Sequence, residues 1–358
     1  MLGWAGVTFD GGMLYTGSTG GEVVALNSSS PRIEWSYPIT MKSQGLSCGS
    51  SSQEVPLYGT PAVGGDLVYV GAYNGKVYAL NMATDAARWV YPKEGYIGAI
   101  VGSPVVINNT VYVSSSDGRV YALDMTYGEQ QWKSEPLSEK LWTSPAVEGD
   151  TIYVSTYDDY IYALPTKGNL PSKDVEPTWT FQGEAGFASS PAVGDEAIFA
   201  GSFDCHIYAI DKGSGYQEWK FPSEEEPALK WFWATPLVDD NVVYAACLDG
   251  KIYAINATNG EKLWEFDTES PIVVSPILVD DLLVVASESG EIYVFKTDVM
   301  PEDKIMTPVK TIPIETQINA PICAHENMVY IRAQDDYLYA VDIDQGKVNW
   351  GIPLTVME

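Results

Sequence analysis

Short apolar runs rich in Val, Ile, Tyr and Ala recur along the whole chain, and Gly, Asp and Asn cut them every few positions. In TIYVST (151–156) and YIYALP (160–165) the pattern alternates with a period of two. That period marks β-strands, and the intervening turn residues mark antiparallel hairpins. Helical repeats fit poorly, because the turns come too often.

The runs fall into a repeating unit. A core phrase recurs as Val24-Ala25-Leu26, Tyr78-Ala79-Leu80, Tyr121-Ala122-Leu123, Tyr162-Ala163-Leu164, Tyr208-Ala209-Ile210, Tyr253-Ala254-Ile255, Tyr293-Val294-Phe295 and Tyr339-Ala340-Val341. Ser or Thr followed by Pro opens the inner run at Thr60, Ser103, Ser144, Ser190, Thr235 and Ser275, with Ala320-Pro321 as the eighth version. One unit, as from Ser144 to Trp179, contains four short strands. Four-stranded units of this length cannot cover both their faces alone, so they pack radially as propeller blades. Eight cores, near 24, 78, 121, 162, 208, 253, 293 and 339, consume the chain. The expected fold is therefore all-β: one eight-bladed propeller over residues 1–358, with no room for a second domain.

A tryptophan follows most cores. Trp35, Trp89, Trp132, Trp219, Trp264 and Trp350 lie ten residues after the core alanine, Trp179 comes later, and the seventh unit has none. Burying one indole removes roughly 200 Å² from water, on the order of 5 kcal/mol before entropy is counted. Recurrence at a fixed offset implies packing between blades rather than chemistry. Asp117, Asp158, Asp204, Asp249 and Asp335, with Asn74 in the same column, resemble an acidic ring. Hairpin geometry explains them, since Asn or Asp before Gly suits a tight turn; cation binding is the alternative.

Charge narrows the partners. Asp and Glu number 48 against 20 Lys and Arg, a net charge of −28. Nucleic acid and anionic membrane surfaces are excluded by that balance, whereas a divalent cation or a basic partner remains allowed. Only His206 and His325 are present, which excludes His-rich metal sites and most His-based catalysis. His206 follows Cys205 in a hairpin and is expected on the turn surface. Cys48, Cys205, Cys247 and Cys323 are scattered and read as free thiols, not a zinc site or a disulfide framework. No apolar run is long enough to span a membrane. The opening stretch MLGWAGVTFDGG lacks the basic and long apolar regions of a secretion signal. If the natural protein is exported, its signal is absent from this sequence.

The segments ALDMTYGEQQW (122–132) and AINATNGEKLW (254–264) resemble the tryptophan-docking motif of PQQ-like, quinoprotein-type propellers. That family includes quinoprotein dehydrogenases, the outer-membrane assembly lipoprotein BamB and sensor propellers of kinases. The resemblance covers essentially the whole chain and implies blade-to-blade docking of each tryptophan. It also implies an extracytoplasmic location. The dehydrogenases carry a disulfide between adjacent cysteines and a calcium or lanthanide site with a catalytic Asp. No adjacent cysteine pair exists here, and about 45 residues per blade leave little length for insertions. The reading is thus a non-catalytic scaffold, a monomeric disc binding protein partners, with no catalytic residues, metal or cofactor. A PQQ- and Ca²⁺-dependent dehydrogenase and a ligand-sensing domain of a larger receptor are the alternatives.

Departures from the repeat point to the partner surface: residues 36–58, 165–177, 223–233 and 299–313. The first and third join one blade's outer strand to the next inner strand. They should share a face with the hairpins at Tyr73, Tyr157 and Phe203, giving a rim of aromatics that includes Trp231, Phe232 and Trp233, beside Glu224, Glu225 and Glu226. The plainer expectation is that these rings pack beneath their own loops. One second-strand column reads Gly17, Gly71, Ser114, Ser155, Gly201, Ala246, Ala286 and Arg332. Arg332 alone is large. It should either pair with Asp335 or Asp336, or anchor a carboxylate at the channel mouth.

Overall fold

In a computed structural model, the described residues are 5–18, 20–42, 52–138, 141–168, 174–223 and 228–354. They form eight four-stranded antiparallel sheets, each built from four strands consecutive in sequence. Blade 1 comprises Val7–Asp10, Met13–Gly17, Glu22–Asn27 and Arg32–Pro38; blade 8 comprises Cys323–His325, Met328–Arg332, Tyr337–Asp342 and Lys347–Pro353. The six between them follow the same order, so the architecture is the eight-bladed all-β propeller expected from the repeats. A two-stranded hairpin, Thr40–Lys42 with Ser52–Glu54, stands between blades 1 and 2. Cys48 and Glu224 to Glu226 lie outside the described residues.

Period-two burial explains the ring. In blade 2, Val68 and Val70 pack against blade 1, while Leu67 and Tyr69 pack against Val111 and Val113 of blade 3. Alternate side chains thus serve opposite neighbours, and the middle strands are buried on both faces. Val7, Leu14 and Val24 of blade 1 pack with Tyr330, Leu338 and Ala340 of blade 8, closing the ring through side chains, without a shared strand.

Each outer-strand tryptophan sits opposite the core alanine, as Ala122 sits opposite Trp132. The small side chain lets the indole approach an aromatic ring on the second strand. Tyr112 and Trp132 are 6.0 Å apart, and Phe199 and Trp219 are 5.5 Å apart. The indole N–H then reaches the next blade: Trp35 donates to Met82 O, Trp89 to Met125 O, Trp132 to Thr166 O, Trp179 to Lys212 O and Trp219 to Ala257 O, all at 2.8–3.0 Å. Glycine is required beneath the ring. A Cβ on Gly128, at φ +69°, would lie 2.4 Å from Trp89. Blade 7 replaces the whole set, with Val284, Val294 and Lys310 in register.

Insertions before the outer strands of blades 4 and 7 fold back onto the preceding blade. Val175 makes a parallel bridge to Ser134, and Ile305 makes one to Glu265.

Candidate partner-binding face

The hairpins joining second and third strands, and the connectors joining successive blades, lie on one face of the disc. Backbone bonds tie them together: Tyr73 N to Pro56 O, Phe203 N to Gly186 O, Leu248 N to Trp231 O and Gln334 N to Gln317 O, at 2.9–3.3 Å. In five hairpins the recurring Asp or Asn is a turn device, whereas Asp158 accepts the Ser138 hydroxyl instead. Asp117 Oδ1 accepts the Arg119 N–H and Oδ2 accepts the Tyr121 hydroxyl; Asp249 does the same with Lys251 and Tyr253, and Asp335 with Tyr337 and Tyr339. Asn74 likewise holds Lys76 N and the Tyr78 hydroxyl. The next position takes positive φ, as at Gly75 (71°) and Gly250 (96°), and also at Asp159, Cys205 and Asp336.

The connectors carry two columns of their own. Leu57, Ile100, Leu141, Phe187, Phe232, Ile272 and Ile318 are all buried beneath them. They sit against the small second-strand column. A Cβ on Gly71 would lie 2.3 Å from Ile100, and one on Gly201 would lie 2.2 Å from Phe232 O. Phe232 is therefore a packing anchor at 0 % exposure rather than part of the rim. Three residues or fewer further on, the Ser/Thr-Pro phrase links inner strands around the axis. Gly6 N bonds Thr60 Oγ1, Thr60 N bonds Ser103 Oγ, Ser103 N bonds Ser144 Oγ and Ser144 N bonds Ser190 Oγ, at 2.8–3.1 Å.

The remaining rim aromatics do converge. Tyr157 meets Phe203 edge-on at 5.2 Å, Phe203 meets Trp231 at 5.0 Å, and Trp233 lies 6.4 Å from both Tyr157 and Phe203. Trp142, which the rim expectation omits, joins them 5.3 Å from Tyr157. Its signal was present in the sequence: Trp142 and Trp233 both stand two residues before a Ser/Thr-Pro phrase. Tyr73 is set apart and pairs with Tyr58. Tyr73 and Trp231 are 46 % and 45 % exposed. Burial pushes the Tyr157 hydroxyl up to about 12. Trp142, Tyr157, Trp231 and Trp233 line a cavity of about 490 Å³ at the axial mouth, with Ser144 and Asn319 among its polar side chains.

Arg332 is 1 % exposed and does not line that cavity. It pairs with Asp336 at 3.1 Å and donates to Ala5 O at 3.4 Å, reaching the strand entry of blade 1. Desolvation lowers its pKa, opposed by Asp336. The carboxylate-anchor expectation therefore gives way to a buried pair at the ring's seam. His206 also departs from expectation. It is 8 % exposed, with Nδ1 3.2 Å from Asp204 Oδ1 and its ring 6.3 Å from that of Tyr208. It immediately precedes the third strand, Ile207–Asp211, and is buried there. Cys205, Cys247 and Cys323 are free thiols, raised by burial in each case.

Among the described residues, no group of three or more His, Cys, Asp or Glu could hold a metal ion, and no helix is long and apolar enough to cross a membrane. Asp117, Asp204, Asp249 and Asp335 spend their oxygens on tyrosine hydroxyls and amides, Asp158 accepts the Ser138 hydroxyl, and the five lie in different blades, so together they do not fit a calcium site.

The fold and its repeats define an eight-bladed propeller of the PQQ-like class. The sequence pattern of the family described as outer membrane protein assembly factor BamB matches residues 49–169 and 169–354, and the chain belongs to that family. No curated protein sequence matches it. Among solved structures, BamB from Moraxella catarrhalis is similar over 91 % of this chain and 92 % of its own, at 18 % identity and a TM-score of 0.69. The computationally designed Ika8 protein is similar over 95 % and 96 %, at 13 % identity and a TM-score of 0.73. At these identities the likeness concerns the fold.

Proposed function

We propose that this chain is a non-catalytic protein-binding or assembly scaffold, acting outside the cytoplasm, whose partner docks on the face carrying the hairpins and blade connectors. The observation that carries the reading is the aromatic cluster around Tyr157 and Phe203, held by rigid hairpins and left partly open to solvent. Exposed aromatics on a fixed frame are the usual energetic centre of an interface. Family membership supports the same reading, since the matching description is that of an assembly factor. The dehydrogenase alternative is weakened by the turn aspartates' existing bonds and by the absence of adjacent cysteines in the sequence.

Photocrosslinking tests the face. A crosslinking residue at Tyr73 or Trp231 should capture a specific partner. The same residue at Tyr127 or Tyr216, exposed on the opposite face, should not. Capture from Tyr127 or Tyr216 alone would overturn the assignment. Stoichiometric PQQ uptake with Ca²⁺ and dye-linked alcohol oxidation would replace the scaffold reading altogether.

A further inference from the structure

We infer that the axial mouth cavity receives a lysine or arginine side chain from the docked partner; the inference rests on the partner-binding face proposed above. Its first support is ring geometry. Trp142 and Trp233 flank Tyr157 at centroid separations of 5.3 and 6.4 Å, with interplanar angles of 62° and 72°. All three rings are half-buried and line the same cavity. Edge-to-face contact packs these rings against one another, and the surfaces they leave uncovered line the cavity. Aromatic faces carry partial negative charge, so such walls attract a cation.

The second support is a polar atom. Asn319 Oδ1, in the same lining, is buried with no hydrogen-bond partner. A lone buried acceptor is costly unless a donor reaches it. An ammonium or guanidinium brings N–H donors to that oxygen, which a carboxylate, a phosphate or a quaternary ammonium lacks. Among the described residues, no Lys or Arg lines the cavity.

Charge supplies the third support. Tyr157 and Leu248, both in the lining, are each followed by an aspartate, Asp158 and Asp249, and Phe203, which meets Tyr157 edge-on, is followed by Asp204. These acids are the chain neighbours of residues at the cavity, whose described lining carries no charged side chain, in a chain of net charge −28. The field draws in a basic segment, and the cavity desolvates its head group against π faces. A neutral sugar, the main competing occupant of an aromatic and hydroxyl-lined cavity, gains nothing from that field.

Calorimetric titration of the whole chain with acetyl-Gly-Lys-Gly-amide, its arginine and norleucine analogues, and methyl glucoside tests this. The lysine and arginine peptides should bind, and the norleucine peptide should bind at least about tenfold more weakly. Added salt should weaken the lysine peptide's binding. Trp142→Leu and Asn319→Leu should each lower its affinity, with Trp142→Phe recovering part of the loss, while melting stays near that of the parent. Equal binding of lysine and norleucine, tighter binding of the glucoside, or unchanged affinity in both leucine variants overturns the inference. If crosslinks still form at Tyr73 or Trp231 while the lysine peptide fails, only the cavity assignment falls. If the lysine peptide binds but the crosslinks map to the opposite face, the cavity stands and the proposed docking face falls.

Discussion

Lys310 Nζ donates to the Ile343 carbonyl at 2.7 Å, the position at which other blades receive an indole N–H. It also reaches the Asp344 carbonyl at 2.6 Å. Blade 7 thus keeps the inter-blade bond while losing the tryptophan. An ammonium bonding two carbonyls is a charge-assisted donor, stronger than a neutral one. Lys310→Met should destabilise by about 1.5–3 kcal/mol, read as a lower denaturation midpoint at unchanged slope. Lys310→Trp should help only together with Val294→Ala, because Val294 occupies the space that alanine leaves elsewhere. Additivity of the two changes would refute that coupling.

The indoles separate into bonded and unbonded cases. Trp132 donates to Thr166 O, whereas Trp264 is fully buried with no partner on Nε1. Either tryptophan changed to Ala should cost about 3–5 kcal/mol by chemical denaturation. Trp264→Phe should be milder than Trp132→Phe, since no hydrogen bond is lost with it. Trp231→Ala, at an exposed position, should cost less than about 1 kcal/mol. Equal tolerance at all three positions would remove the docking role.

Arg332, fully buried, pairs with the partly exposed Asp336 beside the seam. Arg332→Ala loses the ion pair, the bond to the Ala5 carbonyl and the packing of a fully buried side chain, so it should cost about 3–5 kcal/mol. Arg332→Lys should also destabilise, because an ammonium cannot serve both Asp336 and the Ala5 carbonyl with the same planar fork. Replacing both residues with leucine should recover most of the loss. Full stability of Arg332→Ala in thermal melts would show that the pair contributes nothing to closure.

Glu265 gives a pH signature. Burial pushes its carboxyl up, but hydrogen bonds from Lys251 and Lys262, at 2.7 and 2.9 Å, outweigh burial and hold it below the ordinary range. The folded value is depressed, so this contribution is complete above the unfolded value of about 4.3 and disappears as pH falls through the folded value. Glu265→Gln should therefore show a shallower loss of stability below about pH 4 than the parent. Parallel curves for the two proteins would contradict the assignment.

The blades were legible because their determinants are local. Alternation, turn residues and the Ala–Trp offset all lie within one unit. What lay beyond reading depends on which neighbour a side chain meets. Trp231, Phe232 and Trp233 are adjacent in sequence, yet Phe232 drops beneath the connector while its neighbours stay at the surface. Only the seven-membered column from Leu57 to Ile318 reveals that difference. For Arg332 the sequence allowed either a pair with Asp335 or Asp336 or a reach to the channel, and the pair with Asp336 is the one that forms. The arginine's burial follows from blade 1's entry strand, some three hundred residues away in the chain, with the Ala5 bond spanning |i−j| = 327. His206 was judged from its turn, but it is the last residue before the buried third strand and is itself buried.

Every four-stranded sheet in this ring is completed by its own stretch of chain, and neighbours meet through side chains, connector contacts and the two short backbone bridges at Val175 and Ile305. The boundary between units therefore coincides with the boundary between hydrogen-bonded ladders. A gene rearrangement that duplicates, deletes or reorders whole units leaves no strand without its ladder partner. New termini opened at any connector would likewise cut between sheets. The same repeat can thus be copied to different ring sizes or permuted, and the demand that remains is on curvature: whether the indole and its glycine seat set an angle that closes at the new number.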